Sequence, residues 1–497
     1  MKNNSVIKHL IIIITAALFF AFCYDLCTET ITNASYLFLI VCTVIVAVTF
    51  RKELPSTPVF YTMLTGILLR ITYVIYTPVW CRQHDVVDFG AGEGHAAYME
   101  YILTNKSLPD FDPRQVWAFF QPPLHHMISA VWMWINAKLG MSPDHMHKNV
   151  QILPFVYMCI LMYLTYMICR ELKMRAGGTL VAMLIVSFDP IFIMMSGSIN
   201  NDALSVMLSV LALYVALVWY LYPTTGKIVL LALGIGLAMS AKLSAGLVAP
   251  PVAVLIIYKI ISDTGKFKDK AKLVSYVLEL VVFALMVFPL GLWWPIRNRI
   301  LFGMPVNYIP EVGEHVEKSG IVPTILDIRT GSPFLYMKSN GYAYDEYNLL
   351  LATVKSSLFG EGGYANVSPL ITVTGWLLLF AAVIVAVLSI AAVIRTCASA
   401  EAGPEKGIKI YLCTAVITFV AGYVLFALSG MNLSAMDFRY SAAAVSLLAV
   451  FMGLWYDRLK ALSHKHVNAL IMASSVAFAA FSAIFYILIG IYRPWIK

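Results

Sequence analysis

The amino-acid sequence predicts an all-α polytopic membrane protein, and two observations lead to this prediction. Of 497 residues, 60% are hydrophobic and only 12% are charged, whereas about a quarter of the residues in soluble domains are charged. Apolar runs of about 17–25 residues, long enough to cross a bilayer, recur along the whole chain. We therefore expect a bundle of about 11–13 transmembrane helices.

The individual spans follow from the apolar runs, and the pair 228–243 and 245–259 is short for two crossings. The predicted spans are 6–23, 34–50, 59–77, 152–169, 178–197, 203–222, 228–243, 245–259, 273–295, 369–394, 410–429, 440–456 and 467–491.

The orientation of the bundle depends on segment 122–139, which is apolar but opens with two prolines and two histidines. Lys and Arg concentrate in cytoplasmic loops. If the N-terminus is inside and this segment lies along the interface, every dense basic cluster is cytoplasmic: 51–52, 170–175, 259–272, 395–409 and 458–466. A crossing would move the later clusters outside. The interfacial placement is favoured, and the crossing stays an alternative.

This topology also accounts for the net charge of +8 through basic cytoplasmic loops, so we expect the lipid bilayer and no nucleic acid among the partners. It divides the chain into N-terminal spans, a first outer loop, a transmembrane core, a second outer loop or cap, and C-terminal spans. Their bounds are 1–77, 78–139, 140–296, 297–368 and 369–497. Long ordered loops usually carry function, so an extracytoplasmic active site is expected.

The polar loop 78–121 contains six carboxylates, at Asp85, Asp88, Glu93, Glu100, Asp110 and Asp112. Asp85 follows the span 59–77 closely, where partial desolvation would raise the pKa of its carboxyl and improve it as a general base. Asp88 and Glu93 are the second candidates. Simple solvation of any of these acids is the plain alternative.

Polar and aromatic residues near the same side are candidates to line a donor or acceptor site: His84, His95, Tyr98, Gln121, His125, His126, Asn201, Asp202 and Tyr440. Two of them are adjacent histidines, able to donate to a phosphate or an acceptor group. For Asp202 we predict mainly a helix N-cap. Asp189 is an acid within a predicted span, and such residues are functional candidates.

Four cations are predicted on the side that the positive-inside rule disfavours: Lys242, Arg297, Arg299 and Arg439. Cations next to an acidic loop would suit the phosphate of a lipid in the outer leaflet. Pairing with lipid headgroups is the alternative.

Several short motifs together resemble the GT-C glycosyltransferases, and within them the protein O-mannosyltransferase and aminoarabinose-transferase superfamily (family 39-like). The motifs are H-D at 84–85, G-H-x-x-Y from 94, Q-P-P-L-H-H at 121–126, N-N-D-A-L from 200, A-K-L-S from 241, R-N-R-I-L-F-G-M-P from 297 and F-R-Y at 438–440. They appear in the expected order from about residue 80 to 440.

The resemblance implies a GT-C bundle with an extracytoplasmic catalytic loop that carries interfacial helices. It implies transfer of a sugar from a polyprenyl-phosphate donor to a protein, a lipid or a cell-envelope glycan, usually with inversion. Asp85 would be the catalytic base, and Lys242 with an arginine would stabilise the departing phosphate. Val86 stands where the family often has Glu, so the choice among Asp85, Asp88 and Glu93 and the need for a divalent metal ion stay open.

Two other classes compete with the membrane glycosyltransferase. A transporter or flippase of lipid-linked saccharide would show paired repeats and polar breaks near the membrane midplane, whereas the polar residues here gather at one interface. A scaffold protein of the envelope would not need the ordered set of acid, lysine and arginine. We expect a multi-pass protein of the plasma (cytoplasmic) membrane.

Overall fold

The computed structural model describes residues 56–81, 87–310, 349–360, 362–364, 367–398, 404–429 and 436–492. These residues form helices joined by turns and loops. In chain order the α-helices are α1 (Thr57–Tyr76), α2 (Gly94–Asn105), α3 (Leu124–Lys138), α4 (Pro143–Asn149), α5 (Ile152–Glu171), α6 (Ala176–Phe188), α7 (Pro190–Met195), α8 (Asp202–Leu221), α9 (Thr225–Ala241), α10 (Ala249–Asp263), α11 (Lys270–Phe302), α12 (Leu349–Leu358), α13 (Pro369–Ala398), α14 (Lys406–Ser429), α15 (Ala442–Ala461) and α16 (Lys465–Tyr492).

Three short 3-10 segments, Pro113–Gln115, Leu243–Val248 and Phe438–Ser441, connect these helices. In the described part of the chain, nine continuous helical stretches are long and apolar enough to cross a membrane. The polytopic all-α fold class is therefore confirmed. The predicted spans 6–23 and 34–50 lie outside the described residues, and every later predicted span overlaps a described helix or helix pair.

The core of the bundle is formed by helices that are apolar on all sides. α8 and α15 are enclosed over most of their length, whereas α11 and α13 expose most of theirs. A helix that is apolar all round and still exposed in the protein faces lipid. The bundle therefore has an inner layer around α8 and α15 and an outer layer that includes α11 and α13.

A close helix crossing fixes α6 against α15. A Cβ atom on Gly178 would lie 2.4 Å from the carbonyl oxygen of Gly453, so only glycine allows this approach. One turn away, the Asp457 carboxylate accepts hydrogen bonds from the backbone N–H groups of Arg175 (2.7 Å) and Gly178 (3.0 Å). These contacts satisfy two of the free N–H groups at the start of α6.

A break between α6 and α7 is closed by an arginine from α1. Pro190 has no N–H, so the carbonyl of Val186 loses its helical partner. Arg70, fully buried, donates to the carbonyl oxygens of Val186 (2.9 Å), Ser187 (2.6 Å) and Gly66 (2.9 Å). Gly66 permits the contact, since a Cβ there would lie 2.7 Å from that of Ser187. This arginine therefore completes the backbone hydrogen bonding of a broken helix.

Asp189, a functional candidate because it lies within a predicted span, stands at the same break. Its carboxylate accepts a hydrogen bond from the backbone N–H of Ile191 at 3.1 Å and so caps α7. Capping explains an acid at this position without a role in chemistry.

Two short helices, α2 and α3, pack on each other, and α3 covers most of the predicted interfacial segment 122–139. With 15 residues, α3 is about 22 Å long, shorter than a hydrocarbon core of ~30 Å. Val131 and Trp134 on α3 are exposed apolar side chains. This length and this amphipathic surface fit an interfacial position, which stays a prediction.

The end of α11 extends to the polar loop. The Trp294 indole N–H donates to the carbonyl oxygen of Phe120 at 3.0 Å, and Arg114 donates to that of Phe302 at 2.9 Å. The loop segment 87–121 is thereby held against the bundle. Most of the predicted cap 297–368 lies outside the described residues, and the proposed division into five regions stays a prediction.

Candidate functional site

Three charged residues that are far apart in sequence meet at one end of the bundle. The Lys242 ammonium donates to Asp202 Oδ1, and Arg439 Nε lies 3.3 Å from Asp202 Oδ2. The side chains are 5% (Asp202), 13% (Lys242) and 9% (Arg439) exposed. Burial at this level strengthens electrostatic attraction because little water screens it. We call this group, together with Asp437, the ion cluster.

Local structure explains why these side chains converge. Asp202 is the first residue of α8, and Lys242 has extended backbone (φ −156°, ψ 130°) between α9 and the following 3-10 segment. Arg439 lies in the 3-10 turn that begins α15. Each residue therefore occupies a helix end, where a side chain can leave the bundle axis and reach its neighbours.

The prediction that Asp202 mainly acts as an N-cap is wrong. Asn201 occupies the N-cap position, and Asp202 stands in the first turn with its carboxylate directed to Lys242 and Arg439. The cap prediction failed because the ion partners lie 40 or more positions away in sequence and leave no local pattern.

Asp437 and Tyr440 complete the cluster. Asp437 Oδ2 lies 3.8 Å from Arg439 Nε, and its Oδ1 accepts from the Arg439 backbone N–H at 2.9 Å. The Tyr440 ring centroid is 4.5 Å from Lys242 Nζ and 5.3 Å from Arg439 Cζ. Both distances allow cation–π attraction. Two cations and two carboxylates thus share one aromatic support.

An amide pair joins the cluster to the exit of the polar loop. Asn201 Nδ2 donates to Gln121 Oε1 (3.3 Å) and to the carbonyl oxygen of Ala241 (2.7 Å), which precedes Lys242. Asn201 Oδ1 is buried and accepts no hydrogen bond within the described part of the chain. Such an acceptor costs free energy when unpaired, and a ligand hydroxyl could satisfy it.

Stacked rings form a wall between the polar loop and α3. His95 Nδ1 and His126 Nε2 are 2.9 Å apart, and the two rings are parallel. Tyr98 stacks on His126 at 4.3 Å and on Phe119 at 4.4 Å between centroids. Burial raises the pKa of Tyr98 well above its ordinary value, so the Tyr98 hydroxyl stays protonated. Among the described residues it has no hydrogen-bond partner.

His125 has a different environment from its neighbour. Its Nε2 lies 2.8 Å from the carbonyl oxygen of Ile199 and ties α3 to the segment before α8. Burial lowers the pKa of His125 to about 4, which keeps the ring neutral near pH 7. This contact orients the segment that leads to Asn201 and Asp202.

The remaining two predicted cations lie on α11 and differ from each other. Arg297 donates to the carbonyl oxygen of Pro109 (2.5 Å) and to Asn298 Oδ1 (2.9 Å), and it stacks on Trp294 at 4.9 Å. Arg299 is exposed and donates to the carbonyl oxygen of Gly303 at the end of its own helix. Arg297 is therefore bound to the polar loop, whereas the contacts of Arg299 are local.

The candidate bases are only partly described. Asp88 and Glu93 are exposed; Asp88 accepts from the Phe89 N–H at 3.1 Å, and Glu93 precedes α2 without a capping hydrogen bond. Asp85 and His84 lie outside the described residues. In the parts of the chain that the structure describes, no three or more His, Cys, Asp or Glu side chains form a group that could hold a metal ion. The choice of base and the role of a divalent metal ion stay predictions.

Sequence reasoning named the cations of this site but missed Asp437, Phe119 and Trp294. The only available signal for Asp437 was its place two residues before Arg439. No local pattern distinguishes Phe119 and Trp294 from the other aromatic residues, and only the folded chain brings them to Tyr98, in one buried aromatic cluster.

Part of the chain matches a known protein family. Residues 122–293 match the family model described as dolichyl-phosphate-mannose-protein mannosyltransferase. No curated protein sequence matches the chain. The matched segment includes Lys242 and Asp202 and ends on α11.

Solved structures give the fold. The chain is similar to the archaeal oligosaccharyltransferase AglB from Archaeoglobus fulgidus, solved with an inhibitory peptide and a dolichol-phosphate (TM-score 0.51, 14% identity), over 89% of this chain and 56% of that one. It is also similar to ArnT from Cupriavidus metallidurans bound to undecaprenyl phosphate (TM-score 0.49, 12% identity), over 86% and 77%.

The chain thus spans little more than half of the length of AglB. The predicted resemblance to GT-C glycosyltransferases is confirmed, and the chain has the GT-C fold of a multi-pass membrane protein.

Proposed function

We propose that this GT-C chain is a membrane glycosyltransferase that takes a sugar from a polyprenyl-phosphate donor and transfers it to an acceptor on the extracytoplasmic side. The family-model match and the fold support the general class. AglB was solved in complex with a dolichol-phosphate, and the same class of lipid is proposed for this chain.

The observation that carries the proposal is the pair of cations in the ion cluster. Lys242 and Arg439 converge on the two oxygens of one carboxylate, and a phosphate offers oxygens of the same kind and charge. Because the pair is nearly buried, it would stabilise the charge that develops on the phosphate as the sugar leaves. Arg297, tied to the polar loop at Pro109, is the proposed third cation, and Arg299 is the more distant candidate.

The proposed chemistry is a displacement at the anomeric carbon with inversion. Asp85 takes the proton from the acceptor hydroxyl, the acceptor oxygen forms the new bond, and the bond to the phosphate breaks with its electron pair staying on the phosphate. Asp88 and Glu93 are the alternative bases.

The polar groups around the cluster would hold the sugar and the acceptor. Asn201 Oδ1 accepts nothing within the described part of the chain and could accept from a sugar hydroxyl. Tyr98, His95 and His126 would line the adjoining wall. The acceptor is a protein, a lipid or a cell-envelope glycan.

Transfer is tested with purified protein in liposomes that contain a polyprenyl-phosphate-linked sugar and candidate acceptors. The proposal predicts sugar on the acceptor and free polyprenyl phosphate in equal amounts. Movement of the intact sugar-lipid to the other leaflet, without cleavage for any acceptor, would contradict it and favour a flippase.

A further inference from the structure

We infer that Asp202 is an exchangeable counter-anion: its carboxylate positions Lys242 and Arg439 and competes with the donor phosphate for them. This inference rests on the proposed function. It assigns a positioning role to a residue that belongs to the same site and does not itself react.

The first argument is geometrical. One Asp202 oxygen pairs with Lys242 and the other with Arg439, at 3.3 Å from its Nε. The two cations come from segments almost 200 positions apart, and within the described part of the chain the Asp202 carboxylate pairs with both of them. A phosphate that used both cations would need the positions that Asp202 occupies.

The second argument is a charge count. Lys242 and Arg439 carry two positive charges, and Asp202 and Asp437 carry two negative ones, so the ion cluster sums to zero. The side chains are at most 13% exposed, and water therefore contributes little screening. An incoming anion gains strong attraction only when one carboxylate withdraws from the cations.

The third argument concerns which carboxylate can withdraw. Asp437 also accepts a hydrogen bond from the Arg439 backbone N–H. Withdrawal of the Asp437 carboxylate would break this bond and destabilise the 3-10 turn. Asp202 stands in the first turn of the 20-residue helix α8, where free N–H groups and the helix dipole favour a negative charge. Its carboxylate can therefore leave the cations and still remain stabilised.

The cations would keep their places during this exchange. Tyr440 lies under both of them, at 4.5 Å from Lys242 Nζ and 5.3 Å from Arg439 Cζ. Because Asp202 competes with the phosphate for these cations, the affinity of the protein for the carrier is limited. After transfer, the carrier phosphate gains negative charge, because the electron pair of the broken bond stays on it, and the Asp202 carboxylate competes with it for Lys242 and Arg439 and so favours its release.

The test measures binding of undecaprenyl phosphate to the full chain in detergent, with undecaprenol as the control ligand without phosphate. Counting the four ionic residues, Asp202→Asn changes the cluster from 0 to +1, Lys242→Gln changes it to −1, and the double variant restores 0. We expect about tenfold tighter binding for Asp202→Asn and about tenfold weaker binding for Lys242→Gln, the effect of one charge-assisted hydrogen bond. The double variant should return to within about threefold of the unmodified chain.

Asp437→Asn is the matched control, because it removes the same charge from a carboxylate that keeps its turn contact. It should tighten binding less than Asp202→Asn does. Undecaprenol binding should not change in any variant.

Weaker or unchanged carrier binding in Asp202→Asn would overturn the inference and leave the proposed function standing. If Asp202→Asn does not fold, the double variant is compared with Lys242→Gln, and the inference requires that its affinity for undecaprenyl phosphate recovers. If neither variant with Asp202→Asn folds, Asp202 serves folding, and the inference is overturned as well. No binding of undecaprenyl phosphate by the unmodified chain would instead contradict the proposed function.

Discussion

Two arginines of this chain, Arg70 and Arg439, are both buried, but their guanidinium groups have different kinds of partner. Arg70 directs its hydrogen bonds to three backbone carbonyls around the break at Pro190. Arg439 shares Asp202 with Lys242 and also approaches Asp437. The first arrangement completes a helix, whereas the second holds ionic groups that another anion could replace.

The difference shows why burial of a charge does not by itself indicate function. Where a membrane helix is broken, the carbonyl oxygens that lack a helical partner need another hydrogen-bond donor. Arg70 is that donor here. Nothing in the backbone requires Lys242 and Arg439 to meet. In the structure they converge on the Asp202 carboxylate, and the proposed phosphate site rests on this convergence.

The largest effect should come from the proposed base. Asp85→Asn keeps the shape of the side chain but cannot take a proton, and general base catalysis contributes about 10²–10⁴-fold. We expect turnover to fall by about that factor while undecaprenyl phosphate binding is retained. A turnover assay beside a binding assay measures both.

Asp88→Asn and Glu93→Gln are the matched controls for that experiment. Each removes one acid from the same loop and should cost much less. Turnover near that of the unmodified chain in Asp85→Asn would reject the assignment, and loss of turnover in one of the controls would move the base to that acid.

The next largest effect separates the two arginines. Arg70→Met should lower the free energy of unfolding by about 3–5 kcal/mol, because it leaves the carbonyls of Val186 and Ser187 without partners. The folded fraction should still bind undecaprenyl phosphate normally. Thermal unfolding in detergent checks the stability, with Arg70→Lys as a variant that keeps the charge. Unchanged stability with lost carrier binding would place Arg70 in the binding site and contradict the distinction between a structural Arg70 and a phosphate-binding Arg439.

A smaller effect is expected from pH. The pKa of His125 is about 4 in the folded chain, below the ordinary value of about 6.5. Below pH 6.5, His125 therefore binds a proton in the unfolded state but stays neutral in the folded state. The stability of the protein falls as the pH decreases, until the pH nears the pKa of the folded state. The loss from this residue should be about 2 kcal/mol at pH 5 relative to pH 7.

Denaturation at both pH values measures this loss, and His125→Gln should reduce it. Burial also lowers the pKa of His126, so part of the pH dependence should persist in that variant. A pH dependence that is identical with and without His125 would show that its ring is not held neutral.

The smallest effect on activity is expected from two cysteine substitutions that test the topology by labelling. Ser107→Cys lies in the polar loop and Lys268→Cys in the turn before α11, and both positions are exposed. An impermeant thiol reagent on intact cells should label position 107 and not position 268. The reverse pattern would place the ion cluster at the cytoplasmic end and overturn the proposed side of transfer.

Much of this architecture follows from local sequence because apolar runs and bilayer thickness act locally. The spans after residue 56 and the cations at 242 and 439 could be predicted in this way. The pairing of Asp202 could not be predicted, since its partners Lys242 and Arg439 lie at the end of α9 and in the turn before α15. Likewise, Arg70 gave no signal because the carbonyls of Val186 and Ser187 lie more than 100 positions away.

The most direct test of the central claim is the effect of Lys242→Gln on carrier binding and on stability, measured on the same preparation. If the ion cluster holds the donor phosphate, affinity for undecaprenyl phosphate should fall about tenfold, with a smaller loss of stability than in Arg70→Met. Unchanged affinity together with a large loss of stability would show that Lys242, like Arg70, serves the fold, and would contradict the account.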